Sequence, residues 1–252
     1  MDADRYLRRI ASGPVSRADL TTLRHLQRAH LHAVPFENLD IRGGRMLALS
    51  EAALFDKIVA RRRGGICYEQ NTLFAALLRT LGFQVSLLAA EVGMADATFG
   101  PSFDHMALLV VSGEQRFLAD VGFGDSFLEP LDLDQRGEQP QDTAAYEVRL
   151  VGSSYVVMKR PHVEGSAPAA SFRFQTRPRE VVDFEPMCLH HQTSPESHFT
   201  RKDICSLATR AGRITISGDQ LIETRAGSKV VSELRDPAQR RRALRAHFGV
   251  VL

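Results

Sequence analysis

The sequence predicts an α+β fold in three lobes, and three observations carry that reading. Apolar residues over roughly the first 83 positions recur at helical spacing. Near residue 84 the texture changes to short β-rich runs parted by turn residues. Past residue 192 the two textures mix.

Each element has its own warrant. In "SRADLTTLRHLQRAHLHAV", Leu20, Leu23, Leu26 and Leu31 mark one helix, with Ser16 as its expected cap and Pro35 as its stop. "SEAALFDKIVARRRGG" repeats the pattern: Ser50 caps, Leu54, Ile58 and Val59 face inward, and Gly64 and Gly65 end it. A third helix runs from about Cys67 to Leu81, with Leu73, Leu77, Leu78 and Leu81 on one side. "QVSLLAAEV", "HMALLVVS", "QRFLADVGF", "YEVRLVG", "SYVVMKRP" and "SFRFQTRP" read as strands of an antiparallel sheet or barrel. A helix is expected over 192–210, opened by "TSPES" with Pro195 in its first turn. Three short strands follow ("RITISG", "QLIETRAG", "SKVVSEL"). "DPAQRRRALRAHFG" closes as a helix capped by Asp236, with Pro237 first and Gly249 as stop.

Composition narrows the function classes. The chain has 252 residues, 44% apolar and 25% charged, ordinary for a globular protein with a sizeable core. A net charge of +2 is too small to call for nucleic acid or a membrane as partner. The runs "RRR" at 61–63 and "RRRALR" at 240–245 read as solvated helix faces. "MDADRYLRRIASG" has no signal-peptide core, and no segment nears the ~18–20 apolar residues of a membrane span. Three cysteines without an export signal point to free thiols in a reducing cytoplasm.

The chemistry centres on Cys67. It follows two glycines and opens a helix where Ser, Thr or Asp would be the usual cap. Free N–H groups and the helix dipole stabilise an anion at such a position, so a thiol there becomes a nucleophile. The competing use is a buried, inert thiol. A thiolate wants a histidine, and the histidine an orienting acid. Most of the nine histidines sit in helical or loop contexts, but His105 begins the apolar strand "HMALLVV". The next strand ends in Asp120 before a glycine turn, so two strands can present His105 and Asp120 to the helix tip. "CLHH" at 188–191 with His198 and Cys205 fits no zinc spacing, so no metal is expected. Cys188 and Cys205 read as packing residues.

The residues resemble a known family. "RGGICYEQN" is similar to the active-site pattern R-G-G-x-C-(F/Y)-E-x-N of arylamine N-acetyltransferases. "VPFENLD" (34–40), "DHMALLV", "LADVGFGDSFLEPL" and "QTSPESHFT" (192–200) resemble further segments of that family, in order. The resemblance implies an N-terminal helical bundle (1–83), a central antiparallel β-barrel (84–191) and an α/β lid (192–252) around a cysteine-protease-like core. It places the triad on Cys67, His105 and Asp120. It implies acetyl-CoA as acyl donor in a ping-pong cycle, with an aromatic amine or hydrazine as acceptor. The glycine loop, Gly122, Gly124, Asp125 and Ser126, would hold the CoA pyrophosphate, and Phe199 would contact the cofactor. Phe36 and Phe123 would line the acceptor pocket. Asp104 departs from the Thr that many relatives carry, and "CLHH" replaces bulkier aromatics.

Other readings use the same residues: a transglutaminase-like protein or cysteine peptidase, an amide synthase of the same fold with another acyl chain, or a dead relative that binds a partner. "PFENL" and "GFGDSFLEPL" favour the acetyltransferase. Two pairings are expected. Glu37 should hold Arg63 through a two-pronged contact beside the glycines. Asp120, not the adjacent Asp104, should orient His105, because neighbouring strand residues face opposite ways.

Overall fold

A computed structural model describes residues 1–225 and 228–251. Helices come first: α1 (Ala3–Arg9), α2 (Leu20–Ala33), then the two-residue strand β1 (Phe36–Glu37), α3 (Leu39–Arg42), α4 (Glu51–Phe55) continuing into a π-helical turn Asp56–Ala60, and α5 (Cys67–Thr80). Eight strands follow: β2 (Gln84–Val92), β3 (His105–Ser112), β4 (Gln115–Ala119), β5 (Leu131–Asp132), β6 (Gln139–Pro140), β7 (Ala144–Val151), β8 (Ser154–Pro161) and β9 (Ala169–Phe174). A 3-10 turn at Val181–Phe184 leads to α6 (Glu185–Thr193) and α7 (His198–Arg201). The strands β10 (Ile204–Thr209), β11 (Gly212–Ser217), β12 (Gln220–Arg225) and β13 (Ser228–Glu233) precede α8 (Pro237–Phe248).

The antiparallel sheet β5-β4-β3-β2-β9-β8-β7-β6 curls until β5 and β7 approach, a nearly closed barrel. Its strands alternate between two cores, as a period of two demands. Leu87, Met106, Leu108 and Phe117 pack with Leu73, Phe74 and Leu77 of α5. Their neighbours Leu88, Ala107 and Leu118 point the other way, to Phe127, Tyr146 and Phe172 inside the barrel. A second sheet, β1-β10-β11-β12-β13, carries α8 on a third core that includes Cys205, Ile216 and Leu244.

Several expectations shift. Asp19, not Ser16, caps α2, since its side chain accepts from Thr22 N and the helix starts only at Leu20. Ser50 stands at the cap of α4 but makes no side-chain bond there. The helix expected over 192–210 is absent: α6 ends at Thr193, Ser194 is extended, and only the single turn α7 follows. "ICSLAT" is instead β10, because β1 and β11 supply hydrogen-bonding edges on both sides. Residues 226 and 227 of the expected strand "QLIETRAG" lie outside the described residues. At the C-terminal helix the caps are as read: Asp236 accepts from Gln239 N, and Gly249 turns left-handed at φ 66.

A buried charge cluster braces the loop that leads to Cys67. Arg63 donates Nε to Glu37 Oε1 (2.8 Å) and Nη2 to Glu37 Oε2 (3.0 Å) and Asp40 Oδ1 (3.1 Å). Lys57 Nζ reaches Asp40 (2.8 Å) and Glu69 (2.7 Å). The expected Glu37–Arg63 fork is therefore present, and Arg63 is not a solvated helix residue. Glu37 also accepts from the backbone N–H of Leu39 and Gly64, so one carboxylate fixes both chain segments. Arg63→Lys keeps the charge but loses the fork. We expect it to cost about 2–3 kcal/mol, the scale of charge-assisted bonds, read from urea unfolding.

Candidate active site

Cys67 is the first residue of α5 and is buried. The residue before it, Ile66, has no polar side chain to cap the helix, and Glu69 Oε2 accepts from Ile66 N–H instead (3.0 Å). The usual polar cap is thus missing at the sulfur's end of the helix, where the dipole favours an anion. Gly64 and Gly65 are needed for close approach. A Cβ on Gly64 would sit 1.8 Å from Pro35 O, and one on Gly65 2.7 Å from Glu69 Oε2.

His105 opens β3, and its Nε2 lies 2.7 Å from Asp120 Oδ2. The other ring nitrogen, Nδ1, is not engaged by Asp120. Burial works to lower the His105 pKa, but the charge and hydrogen bond of Asp120, together with the influence of the Cys67 thiol, raise it from 6.5 to about 10. The phenyl rings of Phe123 and Phe172 stand 5.1 and 5.3 Å from the imidazole, centroid to centroid, and exclude water from it. Because the folded-state pKa lies above the unfolded value, the His105–Asp120 pair stabilises the fold fully below pH 6.5 and loses that contribution as pH rises through about 10. The stability gap between the protein and its Asp120→Asn variant should therefore be widest near pH 6 and narrow past pH 10, as chemical unfolding would show.

Asp120 itself is tied down on every side. Its Oδ1 accepts from Asn71 Nδ2 (2.9 Å) and Gly122 N (2.8 Å), and its own N–H donates to Gln27 Oε1 (3.2 Å). Asn71 also donates to Met106 O and accepts from Val121 N–H. Asn71 lies four residues after Cys67, so both stand on one face of α5. It links the helix that begins at Cys67 to the strands that carry His105 and Asp120. Asn71 stands in "CYEQN", and its i+4 spacing from Cys67 is the one local signal of this role. Gln27, on α2, carried none.

The glycine loop packs directly on Cys67. A Cβ on Gly122 would fall 2.6 Å from Cys67 Cα and 2.8 Å from Asn71 Nδ2. Under the acyl-carrier role that the resemblance implies for Cys67, Gly122→Ala should slow its acylation about 100-fold, the scale of an ångström-sized displacement at a reacting centre. Burst-phase release of CoA measures it. Gly124 turns left-handed at φ 90 against the ring of Phe36, and Phe36 meets Phe199 at 5.9 Å. The structure thus brings Phe36, Gly124 and Phe199 together, while Phe123 stands on His105. Asp125 and Ser126 lie farther along the loop and border a cavity between the two sheets.

Asp104 points away from the His105 imidazole, to His191 Nε2 at 3.1 Å. It is no free surface group: Tyr68, next to Cys67, donates to the backbone oxygens of Phe103 and Asp104. Cys188 and Cys205 are both free and buried. Burial pushes the Cys188 thiol up to about 12 and that of Cys205 well above its ordinary value, which suits packing and not attack.

Comparison with known proteins identifies the family. The N-acetyltransferase family profile matches residues 19–252. An arylamine N-acetyltransferase of Gallus gallus, a pineal gland isozyme, is 34% identical over 91% of this chain and 85% of its own. The arylamine N-acetyltransferase of Mycolicibacterium smegmatis is 33% identical over 100% of this chain and 93% of its own. The crystal structure of Mycobacterium marinum arylamine N-acetyltransferase in complex with CoA superposes with a TM-score of 0.90 at 32% identity, covering 98% of this chain and 92% of that one. With the profile spanning nearly the whole chain and the architecture shared, this protein belongs to the arylamine N-acetyltransferase family.

Proposed function

We propose that this acyltransferase moves an acetyl group from acetyl-CoA, through a thioester on Cys67, to an arylamine or arylhydrazine. The observation that carries the reading is Cys67 at a helix tip without a polar cap, together with an imidazole that Asp120 holds at 2.7 Å and that the Cys67 thiol influences. The Cys67 sulfur attacks the thioester carbonyl, and the carbon–sulfur bond to CoA breaks. His105 gives the departing thiolate its proton. In the second half the acceptor amine attacks the acetyl-cysteine carbonyl, His105 takes the amine proton, and the Cys67 thiolate leaves. Asp120 keeps the imidazole in one tautomer and stabilises its protonated form. A helix-tip N–H, that of Cys67, is assigned as one donor to the developing oxyanion.

Gly122, Gly124, Asp125 and Ser126 are assigned to the donor, with Phe199, and Phe36 and Phe123 to the acceptor's ring. Segments 1–83, 84–191 and 192–252 are read as nucleophile carrier, His/Asp carrier and lid. A cytoplasmic site of action fits three unpaired cysteines, and among the described residues no helix is long and apolar enough to cross a membrane.

Intact-mass measurement after mixing with acetyl-CoA and no acceptor tests the scheme. One acetyl group should appear on Cys67 and leave when an arylamine is added. An unmodified chain, or acetyl on Cys188 or Cys205, would overturn it.

A further inference from the structure

A chain of buried polar groups that the acyltransfer scheme does not use runs from α1 to the residues just before Cys67. Tyr6 of α1, His30 of α2 and Gln70 of α5 are each 0% exposed. Tyr6 OH lies 2.8 Å from His30 Nδ1, and His30 Nε2 lies 2.9 Å from Gln70 Oε1. Gln70 Nε2 donates to Gly65 O (2.7 Å) and to Pro35 O (3.3 Å). Those two carbonyls fix the direction of every bond. They can only accept, so the Gln70 amide turns its N–H groups to them and its oxygen to His30. The His30 proton therefore sits on Nε2, and the Tyr6 hydroxyl donates to Nδ1. Burial holds the His30 pKa down to about 3, so the ring stays neutral and the chain brings no charge toward Cys67.

The end of the chain meets one particular peptide unit. Gly65 C=O and Ile66 N–H belong to the same peptide bond, the last but one before Cys67. Gln70 donates to its oxygen, and the neighbouring Glu69 accepts from its N–H at 3.0 Å. Two adjacent residues of α5 thus reach back and hold both poles of one peptide. Each is backed from another helix or turn: Glu69 by Lys57 at 2.7 Å, Gln70 by His30. Gly65 O also accepts from Glu37 N–H (3.0 Å), so both of its lone pairs are used. The peptide needs holding. Gly65 must lack a Cβ for Glu69 to approach, and a glycine leaves the peptide beside it free to rotate. Ile66 offers no side-chain cap to steady the turn.

We infer that Gln70, backed by His30 and Tyr6, is a positioning residue: it fixes the plane of the Gly65–Ile66 peptide and so the placement of the Cys67 sulfur for attack. The assignment rests on the acyltransfer reading above. Gln70 acts through the backbone and not on the donor, so its loss lowers the rate of the acylation step and leaves donor binding alone. The role also differs from packing. Leucine fills the space of glutamine but supplies no N–H to Gly65 O, and it strands the His30 N–H in a site without water.

Stopped-flow release of CoA from acetyl-CoA tests this on the full chain, well below each variant's melting temperature. Gln70→Leu should cut the maximal rate about tenfold, the scale of a sub-ångström misplacement, with the acetyl-CoA concentration for half-maximal rate kept within about twofold. The triple variant Tyr6→Phe, His30→Leu, Gln70→Leu separates position from stability. It removes the stranded partners together, so it should melt closer to the parent than Gln70→Leu does, yet acylate just as slowly. If Gln70→Leu alone unfolds too readily to assay, the triple variant carries the comparison. A triple variant that regains the parent's rate along with its stability, or a Gln70→Leu chain as fast as the parent, would overturn the proposal. Alkylation of Cys67 by iodoacetamide, read by intact mass, needs no acyl donor and should slow in the same proportion. A parent that alkylates but never acetylates strikes the acyltransfer scheme, and the alkylation rates of the variants then decide the positioning role by themselves.

Discussion

Asp120→Asn should slow acetylation of Cys67 by about 10⁴-fold, the scale of losing the acid from a triad whose geometry is otherwise kept. Asparagine retains one acceptor oxygen, so it can hold Asn71 or Gly122 but cannot offer a charge to the imidazole. Two consequences follow from the 2.7 Å contact. The protonated form of His105 loses its largest favourable partner, and the amide can present N–H to Nε2, which selects the wrong tautomer. Stopped-flow release of CoA measures the step directly. Asp104→Asn serves as the comparison. Its carboxylate faces His191 and not His105, so a few-fold loss is expected. Similar rates for the two variants would remove Asp120 from the mechanism.

Lys57→Met should destabilise the protein by about 3–5 kcal/mol, because it strands carboxylates that have no access to water. Burial is the strongest influence on the Lys57 ammonium and acts to discharge it, yet Glu69, Glu37 and Asp40 keep its pKa above the ordinary value. Glu69 is in the reverse position: burial raises its pKa, and Lys57 is the main force holding it down. Without Lys57 the Glu69 carboxylate has only the Ile66 N–H to offset its desolvation. For a chain of this size the loss lowers Tm by about 10 °C. Adding Glu69→Gln to Lys57→Met should restore part of the stability, since an amide is cheaper to bury than a lone charge. Differential scanning calorimetry of the single and double variants checks both statements. A single variant that melts with the parent would show the cluster to be dispensable.

What could be read from the sequence divides along physical lines. The positions of Cys67, His105 and Asp120 are legible because each sits at an element boundary that residue types announce: a glycine pair before Cys67, an apolar run after His105, a glycine turn after Asp120. The Glu37–Arg63 fork was legible because one acid and one base stood in two segments expected to meet. Strand positions followed from alternation, and β2, β3 and β8 match the expected runs. The error at 192–210 has a tertiary cause. "ICSLAT" is short and apolar, which periodicity cannot assign, and its strand state depends on a two-residue edge at Phe36–Glu37 far away in sequence. The roles of Gln27, Lys57 and Asp40 are set by contacts between segments, and nothing local marks them. The resemblance implies a donor role for Asp125; its two cations, Lys159 and Arg213, lie on strands that no spacing ties to it.

The pairing of β1 with β10 has a consequence for the order in which the protein is made. Asn38 Oδ1 accepts from Ile204 N–H, a contact across 166 residues of chain, and Asn38 Nδ2 closes on Phe199 and Lys202. The segment 36–38 belongs to the same loop system that Glu37 clamps to Arg63 and Gly64, just ahead of Cys67. A ribosome adding about 5–20 residues per second therefore exposes the cysteine many seconds before the chain that frames it exists. Such long-range closure is also slow and comes late in folding. The Cys67 thiol is enclosed in its final setting only near the end of synthesis, so an unfinished chain carries the cysteine without the segment that frames it.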